Sequence, residues 1–310
     1  MPTASDQPRL ILFANRSKDG VVAAAQRLKH WLAGRAEVVA EPDIPSLTPE
    51  LADALPDADF AVVLGGDGTI LAIARNLFHR DIPLLGVNFG KLGFLAEFNL
   101  ADVMQYWSHI VSDQCRVSRR LLIDVSVLPV GGPAFGGNGN GHGSPASLPQ
   151  PLFTSVALND AVITAGPPFR MIDVDMAIDP QTTGRAAASF SGDGVIVATA
   201  SGSTAYNLAA GGPILSPDVD ACVVTPICPH SLAFRPIVVS ADSEIWLHVR
   251  TANEGTTLVL DGQRSFDLEA DHQVRIRRHA QALRLIHNPS ISYWQMLGQK
   301  MRWAARPRSN

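Results

Sequence analysis

Phe60-Ala61-Val62-Val63-Leu64-Gly65-Gly66-Asp67-Gly68-Thr69-Ile70-Leu71 joins a short apolar run to a glycine-rich turn. Residues 60–64 are unbroken in hydrophobicity, rich in β-branched side chains and cut off by glycine, the pattern of a buried strand in a parallel sheet. Residues 69–78 then predict a helix. At such a strand-to-helix turn, backbone amides face outward and the helix dipole favours an anion. Glycine leaves room there for a phosphate chain to approach the backbone. Asp67 is the odd residue in this setting, because phosphates repel a carboxylate that has no task. It either caps the helix, or it serves chemistry by holding a cation or taking a proton from an attacking hydroxyl.

The flanking sequence repeats the strand–helix alternation. Residues 9–14 (Arg-Leu-Ile-Leu-Phe-Ala) predict a first strand and residues 37–40 a second. Between them Val21, Val22, Ala25, Leu28 and Leu32 recur at helical spacing. Residues 82–87 predict another strand, ending in Asn88-Phe89-Gly90-Lys91-Leu92-Gly93-Phe94. Alternation of this kind implies a parallel sheet covered by helices, with ligands at the carboxyl ends of its strands. Near Arg116 the character changes. Strand after strand follows, from 121–128 through 153–158 and 172–178 to 257–260, which predicts a second, all-β domain. Within it a Gly-, Asn-, Ser- and Pro-rich stretch, about 130–151, reads as a flexible insertion, and its His142 as a solvated residue. Residues 293–305 regain helical character. The expected organisation is an α/β domain over 1–118, an all-β domain over 119–288, and a tail over 289–310 that returns to the first domain.

The 310 residues are 46% hydrophobic and 17% charged, the balance of a globular protein large enough for two cores. A net charge of -4 argues against a nucleic-acid binder, and 6% aromatic content provides no base-stacking platform. Cys115, Cys222 and Cys228 form no CxxC pair, which suits reduced thiols in the cytoplasm. No stretch has the length and hydrophobicity to span a membrane. The cluster Lys300, Arg302, Arg306 and Arg308 reads as a solvated tail, and His230 as a structural residue.

Further segments narrow the choice among kinases that use a Gly-Gly-Asp-Gly turn. Asn159-Asp160 follows a strand. Asp193-Gly194-Val195-Ile196 leads to Gly202-Ser203-Thr204-Ala205-Tyr206 and Ala210-Gly211-Gly212-Pro213. Thr225-Pro226-Ile227-Cys228-Pro229-His230, Arg235-Pro236 and Asp261-Gly262-Gln263 complete the set. In combination these resemble the NAD kinase family over about residues 10–303. The resemblance implies a Rossmann-like parallel sheet followed by a β-sandwich-type domain. It also implies transfer of phosphate from ATP, accompanied by Mg²⁺, to the 2′-hydroxyl of the adenosine ribose of NAD.

Residue roles follow from the same resemblance. Asp67 matches the general base. Asp67, Gly68, Asn159, Asp160, Arg170, Asp193, Thr204, Ala205, Tyr206, Asn207, Leu208, Ala209 and Gln263 match the NAD-binding positions. Gly65, Gly66, Gly68, Thr69 and Asn88 match the phosphate-binding turns, and no fixed protein ligand for a metal is implied. A cytoplasmic homo-oligomer, dimer or tetramer, is the expected state, with neither nucleic acid nor membrane as partner. The chain departs from the family at four places: Asp160 for glutamate, Ala200-Ser201 for Pro-Thr, Ala72 for arginine, and Ser191 for a basic residue. The last two remove positive charge near phosphates. Two other readings remain open on sequence: a lipid or sugar kinase sharing the glycine turn, and a non-catalytic dinucleotide sensor.

Overall fold

The computed structural model describes residues 7–90, 93–130, 148–180, 186–231 and 233–301. Most of the glycine-rich insertion, Lys91, His142 and the tail beyond Met301 lie outside them. The chain divides into two compact units, Met1–Arg119 with Leu283–Asn310, and Arg120–Ala282.

The first unit opens with β1 (Arg9–Ala14), α1 (Val21–Leu32), β2 (Glu37–Ala40) and α2 (Pro49–Asp53). It continues through β3 (Phe60–Leu64), α3 (Asp67–Leu77), β4 (Leu84–Val87), α4 (Leu100–Gln105), α5 (Trp107–Val111) and β5 (Val117–Arg120). The second unit holds β6 (Ile123–Leu128), β7 (Phe153–Ala157), β8 (Asp160–Thr164), β9 (Ile172–Ile178), β10 (Ala188–Gly192) and β11 (Gly194–Thr199). It then adds α6 (Tyr206–Ala209), β12 (Ala221–Ile227), β13 (Ile237–Ser240), β14 (Ile245–Thr251), β15 (Thr257–Leu260), β16 (Arg264–Asp267) and β17 (Gln273–Arg278). The chain ends back in the first unit with β18 (Leu283–Ile286) and α7 (Tyr293–Met301).

β3 sits inside the first sheet, whose order is β2-β1-β3-β4-β18-β5. All five of its residues are buried, which explains why its sequence shows no polar alternation. It pairs in parallel with β1 (Ala61 beside Ile11, Val63 beside Phe13) and with β4 (Val62 beside Leu85). α3 turns Ile70, Ile73, Ala74 and Leu77 to the core at helical spacing. α4 starts with a reciprocal capping box between Asn99 and Asp102.

β18 is the main departure from the sequence reading. Its Leu-Arg-Leu-Ile falls within the stretch expected to form the all-β domain, but it lies parallel to β4 in the first sheet. The residues just after it are held there by a buried acid. Glu97 accepts from His287 Nδ1 (2.9 Å) and from the Asn288 amide (3.1 Å), while His287 Nε2 meets Ser118 Oγ at 2.7 Å.

The second unit is two six-stranded antiparallel sheets, β10-β9-β14-β17-β6-β7 and β13-β12-β11-β8-β15-β16. Their inner faces share one core. Val125, Val174, Leu247 and Val274 come from one sheet; Ile163, Val197, Val224 and Leu258 come from the other. That is the layering of a sandwich. β11 is buried along its whole length. β7 and β8 belong to different sheets, so Asn159 and Asp160 mark a crossover between sheets and not a plain hairpin turn.

Candidate functional site

Two cavities, one in each unit, hold about half of the site residues singled out by sequence. In the first unit, Gly65, Gly66, Asp67 and Asn88 line a cavity of about 380 Å³ together with Lys18 and Lys300. Gly66 is the N-cap of α3, with extended backbone and no side chain to cap it, so the helix begins at Asp67 itself. The Gly65 amide donates to the Val87 carbonyl at 2.9 Å, which fixes the turn at the carboxyl end of the sheet. A Cβ at Gly65 would stand 2.4 Å from Thr69 Oγ1, so this position admits only glycine without displacing the first turn of the helix.

Asp67 does not cap its own helix. Its carboxylate reaches across to the segment after β4, where Oδ2 accepts from the Phe94 amide (2.8 Å) and Oδ1 from those of Leu95 (3.1 Å) and Ala96 (3.0 Å). Gly93 makes this approach possible, since a Cβ there would lie 1.8 Å from Oδ1. A carboxylate offers about four acceptor positions. Three are filled by backbone, and the remaining one is on Oδ2. The side chain is thus fixed in place at the cavity it lines, with one acceptor position unspent.

In the second unit, Asn159, Asp160, Ala205 and Tyr206 line a cavity of about 420 Å³ with Asp261 and Gly262. Asp160 is 5% exposed. Burial first, and the neighbouring Asp261 charge second, push its carboxyl up to about 7. Among the described residues this carboxyl has no hydrogen-bond partner, so a buried acid faces the cavity unsatisfied by protein. Tyr206 is 48% exposed and lines the same cavity.

Asp261 organises this cavity, and the sequence reading gave it no role. It sits at φ 51° and accepts from the amides of Leu158 (3.1 Å), Asn159 (2.7 Å) and Asp160 (3.2 Å). The Asp-Gly pair at a strand end was the available signal, since that dipeptide favours a left-handed turn.

The remaining predicted positions separate into groups. Thr204, Leu208 and Ala209 lie in the 3₁₀ turn and short helix around Tyr206. Asn207 between them is fully buried, and its side chain is spent within the protein: it donates to the carbonyls of Ser203 and Pro213 and accepts from Thr225 Oγ1 at 2.6 Å. It therefore builds the loop and presents no side chain to a ligand. Arg170 is exposed, and its carbonyl accepts from Asn253. Asp193 is exposed between β10 and β11, beside the Cys228 thiol, which its hydrogen bond and charge push up. Gln263 is exposed, with its amide donating to the Leu260 carbonyl. Gly68 and Thr69 form the first turn of α3, Thr69 being buried and accepting from Asn15 Nδ2 at 3.2 Å. Ser191 donates its hydroxyl to Asp173. Lys300 is exposed, as expected, and also lines the first cavity. Among the described residues no three His, Cys, Asp or Glu side chains gather as a metal cage.

Comparison with known proteins matches this architecture along nearly all of the chain. Residues 48–115 match the family model of the ATP-NAD kinase N-terminal domain, and residues 158–288 that of the C-terminal domain. The NAD kinase of Geotalea daltonii is 36% identical over 304 residues, covering 96% of this chain and 99% of the relative. That of Thiobacillus denitrificans is 36% identical over 305 residues, covering 95% and 97%. Among solved structures, an NAD kinase from Archaeoglobus fulgidus in complex with ATP superposes with a TM-score of 0.68 at 27% identity, covering 95% of this chain and 98% of that one. The yeast NADH kinase complexed with NADH shares the fold, with a TM-score of 0.79 at 20% identity over 99% of this chain and 91% of that one. With both domain models matched in order and relatives more than a third identical end to end, the chain belongs to the NAD kinase family.

Proposed function

We infer that this chain is an NAD kinase that transfers the terminal phosphoryl group of ATP to the 2′-hydroxyl of the adenosine ribose of NAD, giving NADP. Family membership supports the activity. The observation that carries the mechanism is the Asp67 carboxylate, clamped by three backbone amides with one Oδ2 acceptor position unspent.

An alcohol is a weak nucleophile at neutral pH, and a positioned carboxylate removes its proton as the bond to phosphorus forms. Asp67 is proposed to do this. Because its orientation is set by backbone before substrate arrives, little reorganisation is left for the reaction step. Gly65, Gly66, Gly68, Thr69 and Asn88 are proposed to receive the phosphates at the uncapped start of α3. In the second domain Asn159 and Asp160 are proposed to meet the ribose and base of NAD. The support is that the Asp160 carboxyl is buried, faces a cavity and lacks a protein partner. Tyr206 is proposed to stack on a base. Arg170, Asp193, Thr204, Ala205, Leu208, Ala209 and Gln263 complete the proposed contact set on the family resemblance. Asn207 contributes through the loop shape alone.

A divalent cation such as Mg²⁺, carried by the triphosphate, would offset phosphate charge during transfer. The residues at the first cavity suit an ion that arrives with the nucleotide, because the carboxylate nearest the glycine turn already spends most of its acceptor positions on backbone. A cytoplasmic homo-oligomer is part of the same proposal. No described helix is long and apolar enough to cross a membrane.

The test is NADP formation from NAD and ATP, with Asp67→Asn beside the wild type. The variant is expected to retain NAD binding and to lose a hundredfold or more in turnover, about the contribution of a general base. Undiminished NADP formation by the variant removes Asp67 from the role.

A further inference from the structure

We infer that Lys18 and Lys300, one from each end of the chain, form the cationic clamp for the phosphate chain of the donor. This rests on the NAD kinase reading above and names the groups that replace the charge missing at Ala72.

Lys18 is presented by a compact turn after β1. Asn15 accepts the Ser17 amide and hydroxyl on its side-chain oxygen, and the Lys18 amide donates to the Asn15 carbonyl at 3.1 Å. The Asn15 amide in turn donates to the Leu64 carbonyl at 3.1 Å, and its side chain reaches Thr69. The turn is therefore fastened both to the end of β3 and to the first turn of α3. Its consequence is that the Lys18 ammonium stands over the glycine turn, 3.2 Å from where a Cβ at Gly66 would lie. Glycine at 66 thus clears space for a cation as well as for a ligand.

Lys300 comes from the last turns of α7. Its ammonium lies 4.5 Å from the centroid of the Phe94 ring, a cation–π distance. The amide of that same Phe94 holds Asp67 Oδ2. Phe94 is also in ring contact with Tyr293 at the start of α7, 6.0 Å between centroids. The helix that carries Lys300 is thereby packed on the loop that orients the general base.

Both lysines line one cavity with Gly65, Gly66 and Asp67. Among the described residues neither has a carboxylate partner within ion-pair distance, unlike Lys29, which pairs with Glu41 at 2.6 Å. Arg75, the basic residue of α3, sits two turns along the helix and is not a lining residue of this cavity. Two exposed ammonium groups without a carboxylate partner, beside an uncapped helix start, fit a polyanion. Ammonium groups on flexible stems also follow a phosphate chain as its geometry changes, which a rigid guanidinium fork does less well.

The experiment compares wild type with Lys18→Met, Lys300→Met, the double variant, and Lys29→Met as a charge-matched control. MgATP binding is measured by calorimetry without NAD, and the KM for ATP and for NAD in the NADP assay. Each single substitution at 18 or 300 is expected to weaken MgATP binding and raise the KM for ATP about tenfold, one charge-assisted contact's worth. The double variant is expected to lose more than either single one. The KM for NAD should move less than about twofold, since its proposed contacts lie elsewhere. Lys18→Arg and Lys300→Arg keep the charge and are expected to lose less affinity than the methionine variants. MgATP binding equal to wild type in both methionine variants overturns the clamp, as does an equal loss in Lys29→Met, which would reduce the effect to bulk charge. If wild type binds MgATP, the variants do not, and no NADP forms, the clamp stands and the NAD kinase reading fails.

Discussion

Gly93→Ala isolates the geometry of Asp67 without touching its chemistry. The added methyl would stand 1.8 Å from Oδ1 and 2.7 Å from Cγ of Asp67. Ordinary non-bonded contact needs about 3.5 Å, so carboxylate and loop must separate by roughly 1.5 Å. Neither is free to yield. The carboxylate is tied to the amides of residues 94–96 at 2.8 to 3.1 Å, and those amides follow Gly93 directly in the chain. Relief requires breaking one or two of these bonds, at about 1.5–3 kcal/mol each for a hydrogen bond to a charged group. Stability should therefore fall by about 1.5–6 kcal/mol. A displacement of about 1 Å at a reacting group costs on the order of a hundredfold in rate, so turnover should fall about that far with Asp67 still present. The KM for NAD should hold within about threefold, because Asn159 and Asp160 are not perturbed. NADP formation and a thermal melt read both effects. A double variant, Gly93→Ala with Asp67→Asn, should be little worse in turnover than either alone, since both remove the same positioned oxygen. Turnover and melting temperature equal to wild type in Gly93→Ala would refute the argument, as would full additivity in the double variant.

Asp160→Asn should stabilise the protein in a pH-dependent way. The folded carboxyl is raised from 3.8 to about 7, so the folded state binds more protons between those values and stability is lost as pH rises through that window. The gain from asparagine should be near zero below pH 4 and reach about 4 kcal/mol above pH 7; a melting-temperature difference that does not grow with pH would contradict it. Asp261→Ala removes the acceptor for three amides and should cost about 3 kcal/mol or more while raising the KM for NAD, measured by denaturant titration and NADP assay. Asn207→Leu should destabilise by about 3 kcal/mol through orphaned partners at Ser203, Pro213 and Thr225, and adding Thr225→Val should recover part of that loss in the same titration.

The first sheet was legible where burial is complete. Residues 9–14 and 60–64 carry no polar alternation because both faces are covered, and their bounds in the structure agree with the sequence reading. β16 and β17 were missed because their outward residues are charged: Arg-Ser-Phe-Asp and Gln-Val-Arg-Ile-Arg-Arg show little apolar signal in a short window. β18 was missed as well, since Leu-Arg-Leu-Ile is four residues long and broken by a charge, and nothing local says which sheet receives it. Among site residues, the glycine turn and Asn159-Asp160 were legible as motifs. The partners of Asp67 lie 27 to 29 residues away, and Lys18 and Lys300 reach their cavity from opposite ends of the sequence. Such placements are products of topology and leave no periodic trace. The same holds for Asn207, whose loop motif was recognisable while its inward orientation depends on Thr225, a distant strand residue.

The late return of β18 has a bearing on biosynthesis. A ribosome releases β1 to β4 early, yet the strand that lies beside β4 follows only after the whole sandwich has been made. Until then one side of β4 lacks its neighbour, and Glu97 lacks His287 and Asn288. Nascent chains stalled before residue 283 should thus carry a finished sandwich and an incomplete, chaperone-seeking first domain. Because Glu97 adjoins Ala96, whose amide grips Asp67, the residues that follow the last strand to emerge also secure the loop behind that carboxylate.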